Sequence, residues 1–220
     1  MNREFFEGVS IIGREAYAIL CAESYLGTVY PGRDWSPVVD TMWEVVGSDR
    51  LDEWAYSFCD VIPEFLFEAG SFEEANFRDM TRERYDVLTD LLRDADENVN
   101  AIFTALYDIV MDYAYTAIPG TGEDTLEDLE SVCLCLESRG VPLPDERAVA
   151  FSSFGEQHGW GSPSTPASSG ETASVDGSSG GVGSVPAARE TPSVAIHLHV
   201  ALRQPTWEAK ASTAQDAWPT

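Results

Sequence analysis

Residues 98–117 read NVNAIFTALYDIVMDYAYTA, the longest run of apolar residues at helical spacing that neither Pro nor Gly interrupts. Val99, Ile102, Phe103, Leu106, Val110 and Tyr113 follow the i, i+3, i+4 rule. Tyr107, Ile109 and Ala114 widen the stripe until little of the circumference stays polar. Asp108 and Asp112, one turn apart, occupy what is left. The segment predicts a central helix with one narrow strip toward water.

The same spacing predicts helices on either side. Asn2 can cap a first helix to about Tyr25, with Phe5, Phe6, Val9, Ile12, Ala16, Tyr17, Leu20 and Cys21 inward. Gly8 and Gly13 each cost it about 1 kcal/mol against Ala. Pro31-Gly32 marks a turn, and Asp34 caps a second helix with Pro37 in its first turn and Gly47 as its stop. A third starts at Ser48 or Asp49, buries Leu51, Trp54, Ala55 and Phe58, and should break at Pro63, with a turn or two surviving to Glu68. Ser71 begins another start signal, and Thr81 caps a helix seamed by Tyr85, Leu88, Leu91 and Leu92. Beyond the Pro119, Gly120 and Gly122 loop lies a last full helix, which buries Leu126, Leu129, Val132, Cys133 and Leu136 and stops at Gly140. Asp145 can cap a short turn, and Phe151, Phe154 and Trp160 of FSSFGEQHGWG should fold back on the bundle.

The expected fold is therefore all-α, a single bundle-like domain of about six helices over residues 1–161. Residues 162–193 hold almost no large apolar side chain and cannot offset their own ordering entropy. Residues 162–220 are thus expected to form a disordered tail. Within it, residues 194–203 (VAIHLHVALR) alternate apolar and polar positions like a short strand.

Charge changes the picture more than length does. The chain has 38 acids against 13 bases, and residues 161–220 hold only five of those acids and three of the bases. The acidity belongs to the predicted domain, where 33 acids face 10 bases. A field of that sign repels nucleic acid phosphates and anionic membranes and attracts basic proteins in a salt-dependent way. It would equally serve solubility or a salt-rich cell interior. Cys21, Cys59, Cys133 and Cys135 lie in apolar helical patterns, as small buried hydrophobes do. The opening MNREFFEGVS is charged and lacks a continuous apolar core, and no run of 18 apolar residues follows, so a cytoplasmic protein is expected.

Catalytic signatures are missing from the pattern. His197 and His199 share one face of the strand-like segment, but no thiolate stands near them in sequence. Residues 94–98 begin like a calcium loop, yet Val99 stands where Gly is needed and Ala105 where a bidentate Glu is needed. Paired carboxylates on facing helices could make a carboxylate metal enzyme, but the Glu-x-x-His pairs that architecture calls for do not occur. The expectation is a non-catalytic protein with no metal and no cofactor.

Several pieces carry a resemblance: ESYLGTVYPG at residues 23–32, LDEWAYSF at 51–58 with Pro63 after it, GVPLPD at 140–145 and FSSFGEQHGWG at 151–161. In order and setting they resemble the small all-helical immunity proteins that bacteria carry beside polymorphic or contact-dependent toxins. The resemblance covers residues 1–161 and implies tight binding to a cognate toxin domain, with no catalysis. A toxin that attacks nucleic acid has a basic cleft, which an acidic helix face could fill in place of phosphate. The candidate partner-binding residues are the stripe Asp86, Asp90 and Asp94 with Asp96 and Glu97, and then Glu123, Asp124, Glu127 and Asp128. Rival readings are an acidic adaptor for another basic protein, a nucleic-acid mimic and, further off, the carboxylate metal enzyme.

Overall fold

Ser10 divides the first predicted helix in two. In the computed structural model, which describes residues 1–68, 70–75, 77–78 and 80–161, α1 spans Arg3–Glu7 and α2 spans Ile11–Val29. The Ser10 Oγ accepts the Gly13 N–H at 3.1 Å and so caps α2. The closing segment takes up the backbone groups freed at the break: Ser10 N donates to Ser152 O, Ile12 N to Trp160 O and Phe154 N to Gly8 O. An isolated antiparallel bridge joins Val9 to Ser153. Gly13 is required by this arrangement, because a Cβ there would lie 2.5 Å from Val9 Cγ1 and 3.0 Å from Ser152 Cβ. The two ends of the domain are laced together where the sequence predicted uninterrupted helix.

The remaining helices are α3 (Ser36–Trp43), α4 (Leu51–Cys59), α5 (Pro63–Glu68), α6 (Arg82–Leu92), α7 (Glu97–Met111) and α8 (Glu123–Ser138). The described residues are all-α, with eight α-helices instead of six because α1 is cut off and the turns after Pro63 make α5. The predicted central helix is α7, and it shares the centre with α2: each packs on the other and on α8. Burial on α2 runs from Ile11 to Leu26 with few gaps, and its small residues Gly13, Ala16, Ala18 and Ala22 permit close approach. Helix α7 stops at Met111, six residues short of expectation. Tyr115, Thr116 and Ala117 are exposed, so no burial rewards a further turn.

Elsewhere the caps follow the predicted chemistry with local shifts. Thr81 Oγ1 accepts Arg84 N at 3.2 Å, and Asp96 Oδ1 accepts Val99 N at 3.3 Å. Asp34 binds the N–H and hydroxyl of Ser36 in a turn, leaving the cap position of α3 to Trp35. The Ser71 signal yields a single turn, closed by Ala75 N to Ser71 O. Gly140, at φ +65°, ends α8, and Val141 N returns to Leu136 O. Asp145 caps a 3-10 turn at Glu146–Val149. Of the three closing rings, Phe154 and Trp160 pack against the core, whereas Phe151 is exposed. The tail, its strand-like segment and its two histidines lie outside the described residues. Among the described residues no helix is long and apolar enough to cross a membrane.

Candidate functional site

The candidate acids fall on two different supports. Helix α6, whose main packing partner is α5, carries Asp86 and Asp90, while α8 lies on α7, α2 and α1. Asp86 and Asp90 are exposed on the outward face of α6, and Asp94 follows just beyond its end. Basic side chains approach two of the three: Arg93 lies 3.5 Å from Asp90, and Arg33 3.6 Å from Asp94. Both pairs are solvated and contribute well under 1 kcal/mol. The stripe is a surface charge pattern, as its spacing implied.

Asp96 differs from its neighbours. Its carboxylate accepts the Tyr25 hydroxyl at 2.9 Å and the Val99 N–H and is paired with Arg139, while its own N–H donates to the Tyr30 hydroxyl at 2.7 Å. Burial raises its proton affinity, but the hydrogen bonds from Arg139, Tyr25 and Val99 outweigh it and hold the carboxyl below the usual range. Asp96 joins α2, α7 and α8 and is spent on the fold. Glu97, the next residue, is exposed in the first turn of α7.

On α8 the four acids also divide. Glu123 accepts Thr121 Oγ1 and Arg3 Nη2, at 2.7 and 2.6 Å, and those contacts lower its pKa. Asp124 accepts the Tyr113 hydroxyl at 2.9 Å. Glu127 is exposed. Asp128 is half-buried, with Oδ2 shut from solvent and without a donor. Burial, then repulsion from Asp108, Asp112, Asp124 and Glu127, pushes its carboxyl up to about 7.

Helix α2, which packs on α8, holds a residue that pattern reading missed. Glu15 of α2 is completely buried, and both its carboxyl oxygens lack a hydrogen-bond donor. Burial, reinforced by the field of Asp128, raises its pKa far above the ordinary carboxylate range. The available signal was an acid inside the apolar run IIGREAYAIL. Its neighbour Arg14 is equally buried and donates to Phe6 O, Gly122 O and Thr125 Oγ1 at 3.1, 2.9 and 2.8 Å, while its Nη2 has no acceptor. Asp60, at the end of α4, is a second missed acid. It is 2% exposed, has no donor on either oxygen, and is pushed up to about 8 by burial against the opposing pull of Arg84.

Other candidate chemistry does not assemble. Among the described residues no group of three or more His, Cys, Asp or Glu is arranged to hold a metal ion. Tyr56 lines a crevice of about 10 Å³ with Asp52, Tyr107 and Tyr115, room for roughly one water molecule. Cys21 and Cys133 are buried, and Cys59 and Cys135 half-buried. No family model matches the chain, and neither a curated protein nor a solved structure matches it.

Proposed function

We propose that the domain is a non-catalytic immunity protein, which binds a cognate bacterial toxin domain through an acidic helical surface and blocks it. The observation that carries this reading is the seam of α7 and α8. Asp124 and Glu127 are exposed there, and Asp108, Asp112 and Asp128 are half-buried beside them, so that five acids crowd one seam. Such a concentration of one sign speeds encounter with a basic surface and selects against acidic ones. The exposed acids of α6 add a second negative face, and the resemblance to immunity proteins supplies the kind of partner. Blocking by occlusion asks nothing catalytic of the chain.

The test is co-expression of the full chain with the toxin domain encoded beside it, scored first by cell survival and then by co-purification at low and high salt. Survival with a salt-sensitive complex supports the reading. Cell death with no complex at either salt overturns it for that partner. A complex with another basic protein, without protection, would favour the acidic adaptor.

A further inference from the structure

We propose that the crevice between α4 and α7 is a slot for one lysine side chain of the basic protein partner. The slot presupposes the binding role argued above and adds a named contact to it, on residues other than those of the α7–α8 seam. Helical spacing builds it. Asp52, Ala55 and Tyr56 stand at i, i+3 and i+4 on one face of α4, and Tyr107, Met111 and Tyr115 follow at steps of four along α7 and the turn after it. The two helices pack on each other, and these six side chains line the opening of about 10 Å³ between them. Its floor is closed, since Ala55, Tyr107 and Met111 are buried. Its rim is open: Tyr115 is 58% exposed, Tyr56 is half-buried and Asp52 is exposed.

Each of these features restricts the occupant. The surface inside the crevice is almost wholly apolar, so an ordered water finds few partners there and an apolar stem is favoured. The width, roughly one water molecule, suits an unbranched chain of methylenes. It excludes the forked tips of leucine and isoleucine, aromatic rings and the flat guanidinium of arginine.

The rim then selects a positive head. Asp52 makes no hydrogen bond or ion pair among the described residues, and Arg50, two positions before it, is held by Glu53. Tyr56 already draws a cation from within the chain, because Arg78 Cζ lies over its ring, 5.5 Å from the centroid. Lysine joins the two requirements, an apolar stem that can be buried and a compact ammonium that stays at the water boundary. Its methylenes lie along Met111 and the ring of Tyr115, and its ammonium meets Asp52 and the ring faces at the rim. The excess of acids over bases in the chain draws a basic partner toward it.

The experiment follows the Met111 methyl resonance of the full chain by NMR during titration with three capped pentapeptides, identical except for a central lysine, arginine or norleucine. Norleucine carries an unbranched stem without the charge. The wild type is compared with Tyr115→Ala, Tyr115→Phe, Asp52→Asn and, as a control for charge alone, Glu83→Gln on the exposed side of α6. Thermal unfolding of each confirms folding, and Asp52→Asn, at an exposed side chain, is the second probe if Tyr115→Ala folds poorly. The lysine peptide should bind at least about threefold more tightly than either of the others. Tyr115→Ala should weaken it about tenfold and Asp52→Asn about threefold, while Tyr115→Phe and Glu83→Gln change it less than about twofold. An unmoved Met111 methyl, equal binding of the three peptides, or equal losses from Asp52→Asn and Glu83→Gln overturns the slot. Co-expression with the toxin domain separates the slot from the role it presupposes. If the lysine peptide behaves as stated but the wild type gives no protection, the slot stands and the immunity reading falls. If the wild type protects, and Tyr115→Ala and Asp52→Asn bind the toxin as tightly as it does, the immunity reading stands and the slot falls.

Discussion

Replacing Asp60 with Asn should flatten the fall of stability with pH. Asp60 closes α4, is 2% exposed, and has no donor on either carboxyl oxygen. Burial is the larger influence and Arg84 the smaller, opposing one, which leaves the folded pKa at about 8. An unfolded Asp titrates near 3.9. The folded state therefore keeps a proton that the unfolded state gives up between about pH 4 and about pH 8, and stability drops across that window as pH rises. The full drop from this one group is at most about 6 kcal/mol, at roughly 1.4 kcal/mol per pH unit, and local opening to water brings it to roughly 2–4 kcal/mol. Asn keeps the shape and cannot titrate. Urea unfolding followed by tryptophan fluorescence, at about pH 5 and about pH 8, gives the four free energies needed. The wild type should lose at least about 2 kcal/mol more than Asp60→Asn between the two conditions, Glu15 and Asp128 being common to both chains. Parallel losses would refute the reasoning and mean that Asp60 is ionised and paired with Arg84. In that case Asp60→Asn would destabilise at both pH values, by about 3–5 kcal/mol.

Two further perturbations test how the domain is held. Gly13→Ala raises helix propensity by up to about 1 kcal/mol, yet it drives a methyl into Val9 and Ser152, so thermal unfolding should show a net loss of about 1–2 kcal/mol. Adding Val9→Ala should recover part of it. Asp96→Asn should lower stability by about 2–3 kcal/mol, because it weakens charge-assisted bonds to Tyr25 and Arg139, whereas Glu97→Gln should leave the urea midpoint unchanged.

Helix type was legible in this chain because apolar spacing and burial agree over long segments. Residues 98–117 predicted a buried helix, and α7 buries Val99, Ile102, Phe103, Leu106 and Val110. The errors lie where tertiary contacts decide. Gly8 and the Ser10 cap mark the break locally, but they do not distinguish it from a tolerated glycine without the backbone bonds to Ser152, Phe154 and Trp160, more than 140 positions away. The candidate acids were legible as charge but not as environment. Asp94, Asp96 and Glu97 look alike in sequence, yet only Asp96 meets Tyr25, Tyr30 and Arg139, which come from distant stretches of chain. Glu15 was hidden for the opposite reason. Helical periodicity assigns a charged residue to the outside, and α2 has hardly any outside to give it.

The buried acids bear on why the domain is acidic at all. Solubility or adaptation to salt accounts for carboxylates on exposed faces, where each is hydrated and adds to the surface field. It does not account for Glu15, Asp60 or the closed-off oxygen of Asp128, which are out of water and reduce stability near neutral pH. Their protons also make the folded domain less negative than the formal −23 of its first 160 residues. Asp60 stands alone beside Arg84, so a structural compromise is enough to explain it. Asp128 instead stands beside the exposed acids Asp124 and Glu127 of α8, and a costly polar group next to a surface of matching charge is where a fold gives up stability for binding. A protein acidic only for salt tolerance should gain stability at neutral pH from Glu15→Gln and lose nothing else. A protein acidic for a partner should gain the same stability and bind that partner less tightly.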